Sequence, residues 1–319
     1  MLSLGRLYPE STKSMSAKPM KQNGRLFTVE EIAYAEQFVR RFSNLTRSEL
    51  IDTLCEHWNW FTASGSCKSQ SCLALLKRLE NKKRITLPAS KFPAPRKMRA
   101  PTLTTRTEPQ AKLNCTLKEL GNIELVPAQD KAQRALVNEY IERYHYLGYK
   151  KPAGNIFRYF IMAGGSILGC LIIAGAAKRI TVRDAWIGWS DDRRLSNLPW
   201  VINNTRFLIF PWVDVPHLAS HVLGKLARQI RNDYLNYWRY GPLLLETFVN
   251  PEHYQGTCYK AANWIYLGET SGRERLRLGA MPAKTPKMIF VYSLAPDARE
   301  QLSTINLLAK QGETHEIDD

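Results

Sequence analysis

Long apolar runs are missing from this chain of 319 residues. The longest candidate, Ser166 to Ala177, is broken by glycines and falls short of the roughly 18 to 20 residues that a bilayer-spanning helix needs, so no membrane span is expected. An apolar segment behind the first positive charges is also missing, which argues against a secretory signal and makes the cytoplasm the expected location. Cysteine is sparse and unpatterned. The six, Cys55, Cys67, Cys72, Cys115, Cys170 and Cys258, share no spacing, and a chain of this size needs no staples, so buried thiols rather than a disulfide framework are expected. Cys67 and Cys72 have no second Cys or His pair at zinc spacing, and no metal is assigned. Acidic residues are scarce as well: 29 Asp and Glu stand against 45 Lys and Arg, a formal charge of +16.

The charge that is present is uneven. Residues 1–110 hold 19 basic side chains against 9 acidic ones, which leaves 26 against 20 for the remainder. Such an excess supplies the non-specific attraction to phosphate on which nucleic-acid binding is built, so DNA is the expected partner. The pattern of the same region agrees. Behind a polar leader (1–24), expected to be disordered, "FTVEEIAYAEQFVRRF" starts a helix with Thr28 as cap and Glu31 three residues on, before the apolar stripe Ile32, Ala35, Phe38, Val39. Thr46 and Glu49 repeat that signal in "LTRSELIDTLCEHWNW". A third helix follows from Ser69, with Leu73, Leu76 and Leu79 inward, then the basic turn Lys82, Lys83, Arg84 and a short strand, Ile85 to Leu87.

Three short helices with a basic end predict a winged helix-turn-helix domain over 25–88. Its third helix would present Lys68, Ser69, Gln70 and Ser71 to base edges and phosphates, and Lys82, Lys83 and Arg84 would form the wing. The alternative is a small helical interaction domain with a solvated basic rim. Residues 89–121, rich in proline and carrying Arg96, Lys97 and Arg99, read as an extended linker whose charges can track a phosphate backbone.

From Asn122 to residue 296 the elements run strand, helix, Gly-Gly hairpin, strand, long helix, strand, helix, strand, with a polar tail over 297–319. That order predicts an α+β domain with a mixed sheet and resembles the GCN5-related N-acetyltransferase superfamily over residues 122–294. The resemblance implies that an Asn and a Tyr-bearing helix follow the fifth strand, the places held here by Asn250, Tyr259 and the "NWIYLG" segment with Asn263 and Trp264. It also implies a Gly-rich pyrophosphate loop at the start of the long helix. Here that segment is "DVPHLASHVLGK": Ala219 and Ser220 replace the glycines and Pro216 removes a donor, so acetyl-CoA is disfavoured and the cofactor stays unassigned, with Ser220 as a possible phosphate contact.

Candidate chemistry sits at three places. His145, in "RYHYLGY", titrates near neutral pH and is a candidate acid or base. Asp192, beside Asp191, lies in "IGWSDDRRLSN", read as a loop. Glu246 interrupts the otherwise apolar strand Leu243 to Val249, where an ionised carboxylate costs several kcal/mol unless paired, so it is either catalytic or joined to a buried cation such as Arg206. Asn203, Asn204, Asn250 and Asn263 add neutral polar groups able to fix a ligand or a turn, and Trp189, Tyr259 and Trp264 offer stacking surfaces.

The blocks "YHYLGY", "NLPWVINNTRFLIFPWVDVPHLASHVL" and "LLLETFVNPEHYQGTCYKAANWIYLGETSGR", with the N-terminal "SELIDTLCEHWNW", resemble the DruA family of the Druantia anti-phage systems, whose relatives also occur fused to transposases. The Gly-Arg-rich run of that family corresponds here to "SGRERLR". The resemblance implies a bacterial or phage-associated defence role alongside partner proteins, including a helicase, but carries no reaction. Three readings follow: a DNA-binding protein whose second domain binds or modifies DNA, a non-catalytic module that recruits a helicase or nuclease, and a metal-dependent nuclease or transposase-related enzyme using Asp191 or Asp192 with Glu246.

Overall fold

The computed structural model describes residues 18–89, 100–270 and 285–307. They form two compact units, the first holding 18–61 and 66–89, the second holding 62–65 and the described residues from 100 on. The first opens with a hairpin, β1 (Met20–Gln22) and β2 (Arg25–Phe27), paired antiparallel, followed by α1 (Val29–Arg41), α2 (Arg47–His57) and α3 (Ser69–Asn81). Thr28 with Glu31 and Thr46 with Glu49 form the two capping boxes that the sequence predicts. Phe27, Leu54, Trp58, Trp60, Leu75 and Leu76 meet in one core.

Two boundaries of this unit differ from the sequence reading. The leader ends earlier than residue 24, because Asn23 (φ 47°) and Gly24 (φ 84°) make the left-handed turn that closes a two-residue hairpin. The wing strand over Ile85–Leu87 does not form: Ile85 and Leu87 turn into the helical core, and the Leu87 N–H is taken by the Glu80 carboxylate (2.9 Å) instead of a strand partner.

The second unit contains β3 (Leu113–Asn114), α4 (Leu117–Leu120), β4 (Ile123–Pro127), α5 (Lys131–Tyr144), β5 (Phe157–Ala163), β6 (Ser166–Gly175), α6 (Thr181–Ile187) and α7 (Asp191–Asn197). It continues with β7 (Val201–Ile209), β8 (Val213–Asp214), α8 (Leu218–Trp238), β9 (Leu244–Val249), α9 (Thr257–Ala261), β10 (Ile265–Glu269), β11 (Met288–Ser293) and α10 (Ala298–Thr304). Seven strands form one mixed sheet in the order β10, β11, β9, β7, β6, β5, β4. All its neighbours are antiparallel except β7 and β9. This is the α+β architecture with a large mixed sheet that the element order implies.

Four further differences have local causes. The linker ends before residue 104, because the buried Glu139 on α5 accepts the Thr104 N–H and the Thr107 hydroxyl, and Tyr144 donates to the Thr107 carbonyl (2.7 Å). The loop read at Asp191 is α7: Ser190 caps it, and Asp191 and Asp192 occupy a first turn where negative charge suits the helix dipole. The aromatic helix after Glu246 is shorter than expected, since Asn263 turns left-handed at φ 61° and the chain continues as β10 along β11. The tail starts with α10, which buries Ala298 and Leu302, while the Asn197 amide donates to the Leu302 and Ile305 carbonyls and accepts the Leu307 N–H.

Candidate ligand cleft and nucleic-acid interface

The parallel pairing of β7 and β9 stops at Asn204 opposite Thr247. One cause is visible in β7. Thr205 is an extra residue relative to β6, a bulge between the pairs Ile172–Arg206 and Ile173–Asn204, and it turns its hydroxyl onto the Ile172 carbonyl (2.9 Å). A bulge bends its strand, and past it β7 and β9 separate around a cleft of about 420 Å³. Its walls come from β7, β9, the end of α5, Ala219 on α8 and the turn into α9.

Among the residues expected to bind or react, His145, Asn204 and Tyr259 line this cleft. His145 caps the C-terminal end of α5, and its Nδ1 accepts the Leu147 N–H (3.2 Å). Burial, with Arg206 adding to it, lowers its pKa to about 4. With Nδ1 committed as acceptor, the hydrogen of the neutral ring is assigned to Nε2, so His145 offers the cleft a donor rather than a base. Tyr259 lies on the cleft floor, where burial raises its phenol well above the ordinary value. Its hydroxyl accepts from the Asn204 amide (3.2 Å) and lies 3.4 Å from the Thr247 hydroxyl, which reaches the Asn204 backbone carbonyl (3.1 Å). That ring of contacts leaves Asn204 Oδ1, buried, with no partner. Tyr146 and Tyr254, exposed at the mouth, stand 5.8 Å apart. The sequence signal for these two was weak, since neither tyrosine falls in a periodic pattern.

The remaining expected ligand residues do other work. Asn250 folds back on Glu252, accepting its N–H (3.2 Å), and Asn263 serves the left-handed turn. Trp264 is buried behind Tyr259 (rings 5.1 Å apart), and Trp189 is buried near the Arg183 guanidinium, so neither presents a free stacking face. Arg206 donates to the Gly148 and Thr205 carbonyls. Ser220 donates to the His217 carbonyl (3.0 Å), and His217 sits left-handed at φ 64° directly before α8. With Pro216 lacking an N–H, and Cβ atoms on Ala219 and Ser220, the start of α8 does not fit a coenzyme A pyrophosphate.

Glu246 lies outside the cleft lining, fully buried. Its partner is Arg183 on α6, not Arg206: Arg183 donates to Oε2 at 2.7 Å, while the Ala177 N–H (2.8 Å) and the Asn203 amide (3.3 Å) reach Oε1. Burial pushes the carboxyl up, and the guanidinium opposes it. Burial works against the charge of Arg183 too, but Glu246 and Asp184 more than offset it. The carboxylate therefore has its acceptors turned to protein donors. Asp192 is on the exposed first turn of α7, and no group of three metal-ligating side chains occurs among the described residues.

In the first unit, Lys68 caps α3, half-buried, with burial and then Arg25 lowering its pKa. Gln70 is exposed, but Ser69 reaches Asp52 (3.2 Å), and Ser71 accepts from Asn23 at the hairpin turn (2.5 Å). The hairpin, bearing Lys21 and Arg25, thus packs along α3, its turn beside Ser71 and its first strand bonded to Arg78. Lys82 and Lys83 are exposed at the other end of that helix, roughly 20 Å away at 1.5 Å per residue. Arg84 is tied to Glu36. Arg96, Lys97, Arg99 and the "SGRERLR" run lie outside the described residues.

Comparison with known proteins gives one family. The model of the family described as Druantia protein DruA matches residues 80–284. No curated protein matches the chain. Among solved structures, the aminoglycoside acetyltransferase AAC(6')-Ib with coenzyme A is 15% identical, with 56% of this chain and 98% of that one covered and a TM-score of 0.34. The N-acyl amino acid synthase FeeM from uncultured soil microbes is 14% identical over 58% of this chain and 97% of its own, at 0.32. The polyamine N-acetyltransferase of Drosophila melanogaster is 9% identical over 54% and 100%, at 0.34.

Proposed function

The chain belongs to the Druantia protein DruA family, and on that premise we propose that it is a DNA-binding component of a multi-protein anti-phage system whose second unit holds a ligand in the β7–β9 cleft. The observation that carries the DNA reading is the start of α3. Its first turn contributes no carboxylate of its own, although Ser69 there reaches Asp52; Lys68 stands at its cap, and the hairpin hydrogen-bonded beside it carries Lys21 and Arg25, the latter paired with Glu31. A helix end presented in this way, next to a two-stranded projection, suits a groove and its flanking phosphates. The winged-helix arrangement we favour therefore uses the β1–β2 hairpin as its projection, and Lys82 and Lys83 as separate backbone contacts.

Catalysis by Glu246 has less support than a structural role, since its carboxylate is enclosed by Arg183, Ala177 and Asn203. The nuclease reading, which needs Glu246 with Asp191 or Asp192, loses support for the same reason. A recognition module acting with a helicase or nuclease partner in the cytoplasm remains the second reading, and the cleft favours the first.

Binding of the purified protein to double-stranded, single-stranded and forked DNA across a salt series tests this. Each phosphate contact contributes about 0.9 to the slope of log affinity against log salt on duplex DNA. The combined variant Lys68→Ala, Lys82→Ala, Lys83→Ala is expected to flatten the slope by about 2 to 3 units. A slope equal to that of the unaltered protein would remove α3 and its ends from the interface.

A further inference from the structure

Asn204 is 4% exposed, lines the cleft and has an amide oxygen without a partner. A buried acceptor left unpaired is costly, so a ligand that donates an N–H or O–H to Oδ1 gains about tenfold or more in affinity over one that cannot. The lining also restricts the rest of the ligand. Among the described residues it contains no Asp, Glu, Lys or Arg, so a cationic substrate finds no counter-charge from them in the body of the cleft. Six of the lining residues are aromatic: Tyr144, whose ring packs on Phe210 and Trp212, Tyr259, whose ring lies along Phe290, then Phe207 and Phe248, and the exposed Tyr146 and Tyr254. Arg206 lies close enough to His145 and Tyr146 to act on both electrostatically, which puts positive potential beside the opening. A flat, neutral ring with a donor on its edge and an anionic group left outside meets all of these conditions.

We propose that the cleft is a pocket for one unpaired nucleobase, packed against its aromatic side chains, with an amino or ring N–H donating to Asn204 Oδ1. This rests on the DNA-binding reading above and adds to it the group recognised. Aromatic faces accept any base, so the selectivity comes from the single acceptor. The volume of about 420 Å³ leaves room for a base with its sugar. The same chemistry is carried by an extruded base in a strand and by a free nucleotide.

The test uses the full chain and three labelled duplexes of equal length: fully paired, with one unpaired adenine, and with one unpaired purine that lacks the amino group. Free 2-aminopurine nucleoside monophosphate is titrated in parallel by its fluorescence. The expected result is about tenfold tighter binding of the unpaired adenine than of the unpaired purine. Asn204→Leu should abolish that difference without changing affinity for the paired duplex, and Tyr254→Ala, at the exposed rim, should weaken both unpaired ligands even if Asn204→Leu fails to fold. Binding of the free nucleotide without discrimination among duplexes would keep the pocket and make a mononucleotide its ligand. Failure to bind any duplex, with the free nucleotide bound, would remove the DNA reading alone. Equal affinity for adenine and purine in the unaltered protein, with no response of the free nucleotide, overturns the proposal, as does unchanged affinity of Tyr254→Ala for both unpaired ligands.

Discussion

Glu246 and Arg183 show how a single pair can hold a loop and a strand together. Arg183 Nη1 bonds the Ala177 carbonyl (2.8 Å) as well as Glu246, so one guanidinium joins β9 to the segment after β6. Glu246→Gln leaves that buried cation short of a counter-charge and should cost about 3 kcal/mol, with Asp184 limiting the loss; replacing both partners by Leu and Met should recover most of it. Denaturant unfolding of the single and double variants decides this. A fully stable Glu246→Gln protein that has lost defence would return the residue to a chemical role. His145 supplies a second prediction. Its folded pKa of about 4 is below the ordinary 6.5, so its contribution is fully present above pH 6.5 and is lost as pH falls toward 4. At most about 3 kcal/mol is involved, reduced by solvent at the part-exposed ring. Unfolding of His145→Gln should show a shallower acid decline than the unaltered protein across that window.

Elements were legible where a local rule fixes them. The capping boxes at Thr28 and Thr46 gave α1 and α2 their starts, and Thr46→Ala should lower the stability of its unit by about 1 kcal/mol in a thermal melt. The Gly-Gly hairpin of β5 and β6, the long α8 and the strands β4, β7, β9 and β11 also followed from periodicity. The short elements did not. Asn23-Gly24 is a strong hairpin signal, but its strands are three residues each, and the turn and the first strand fell inside the polar leader. Ser190 with two acids is a helix start, yet the same residues describe a solvated turn. Gly256 illustrates what no pattern reveals: at φ 67°, a Cβ there would meet the Phe290 ring at 2.5 Å. Gly256→Ala should therefore destabilise the turn at the cleft by more than 1 kcal/mol and lower the melting temperature.

At the scale of the molecule, charge and family were readable from the chain, whereas the location of the site was not. The cleft depends on a bulge at Thr205 and on where a four-pair parallel ladder stops, and both are tertiary events with no local sequence mark. Partnership was equally hidden: Glu246 finds Arg183 63 residues away across two elements, and Arg206, the cation nearer in sequence, faces elsewhere. The order of the sheet has one more outcome, which concerns time. β11 lies between β9 and β10 although it follows both in the chain. During synthesis β9 gains its second neighbour only after Ser293 has left the ribosome, so until then a nascent chain carries two uncovered strand edges beside an open cleft. A chain stopped after residue 287 should aggregate on refolding, as light scattering would show, whereas the chain of 319 residues should stay in solution.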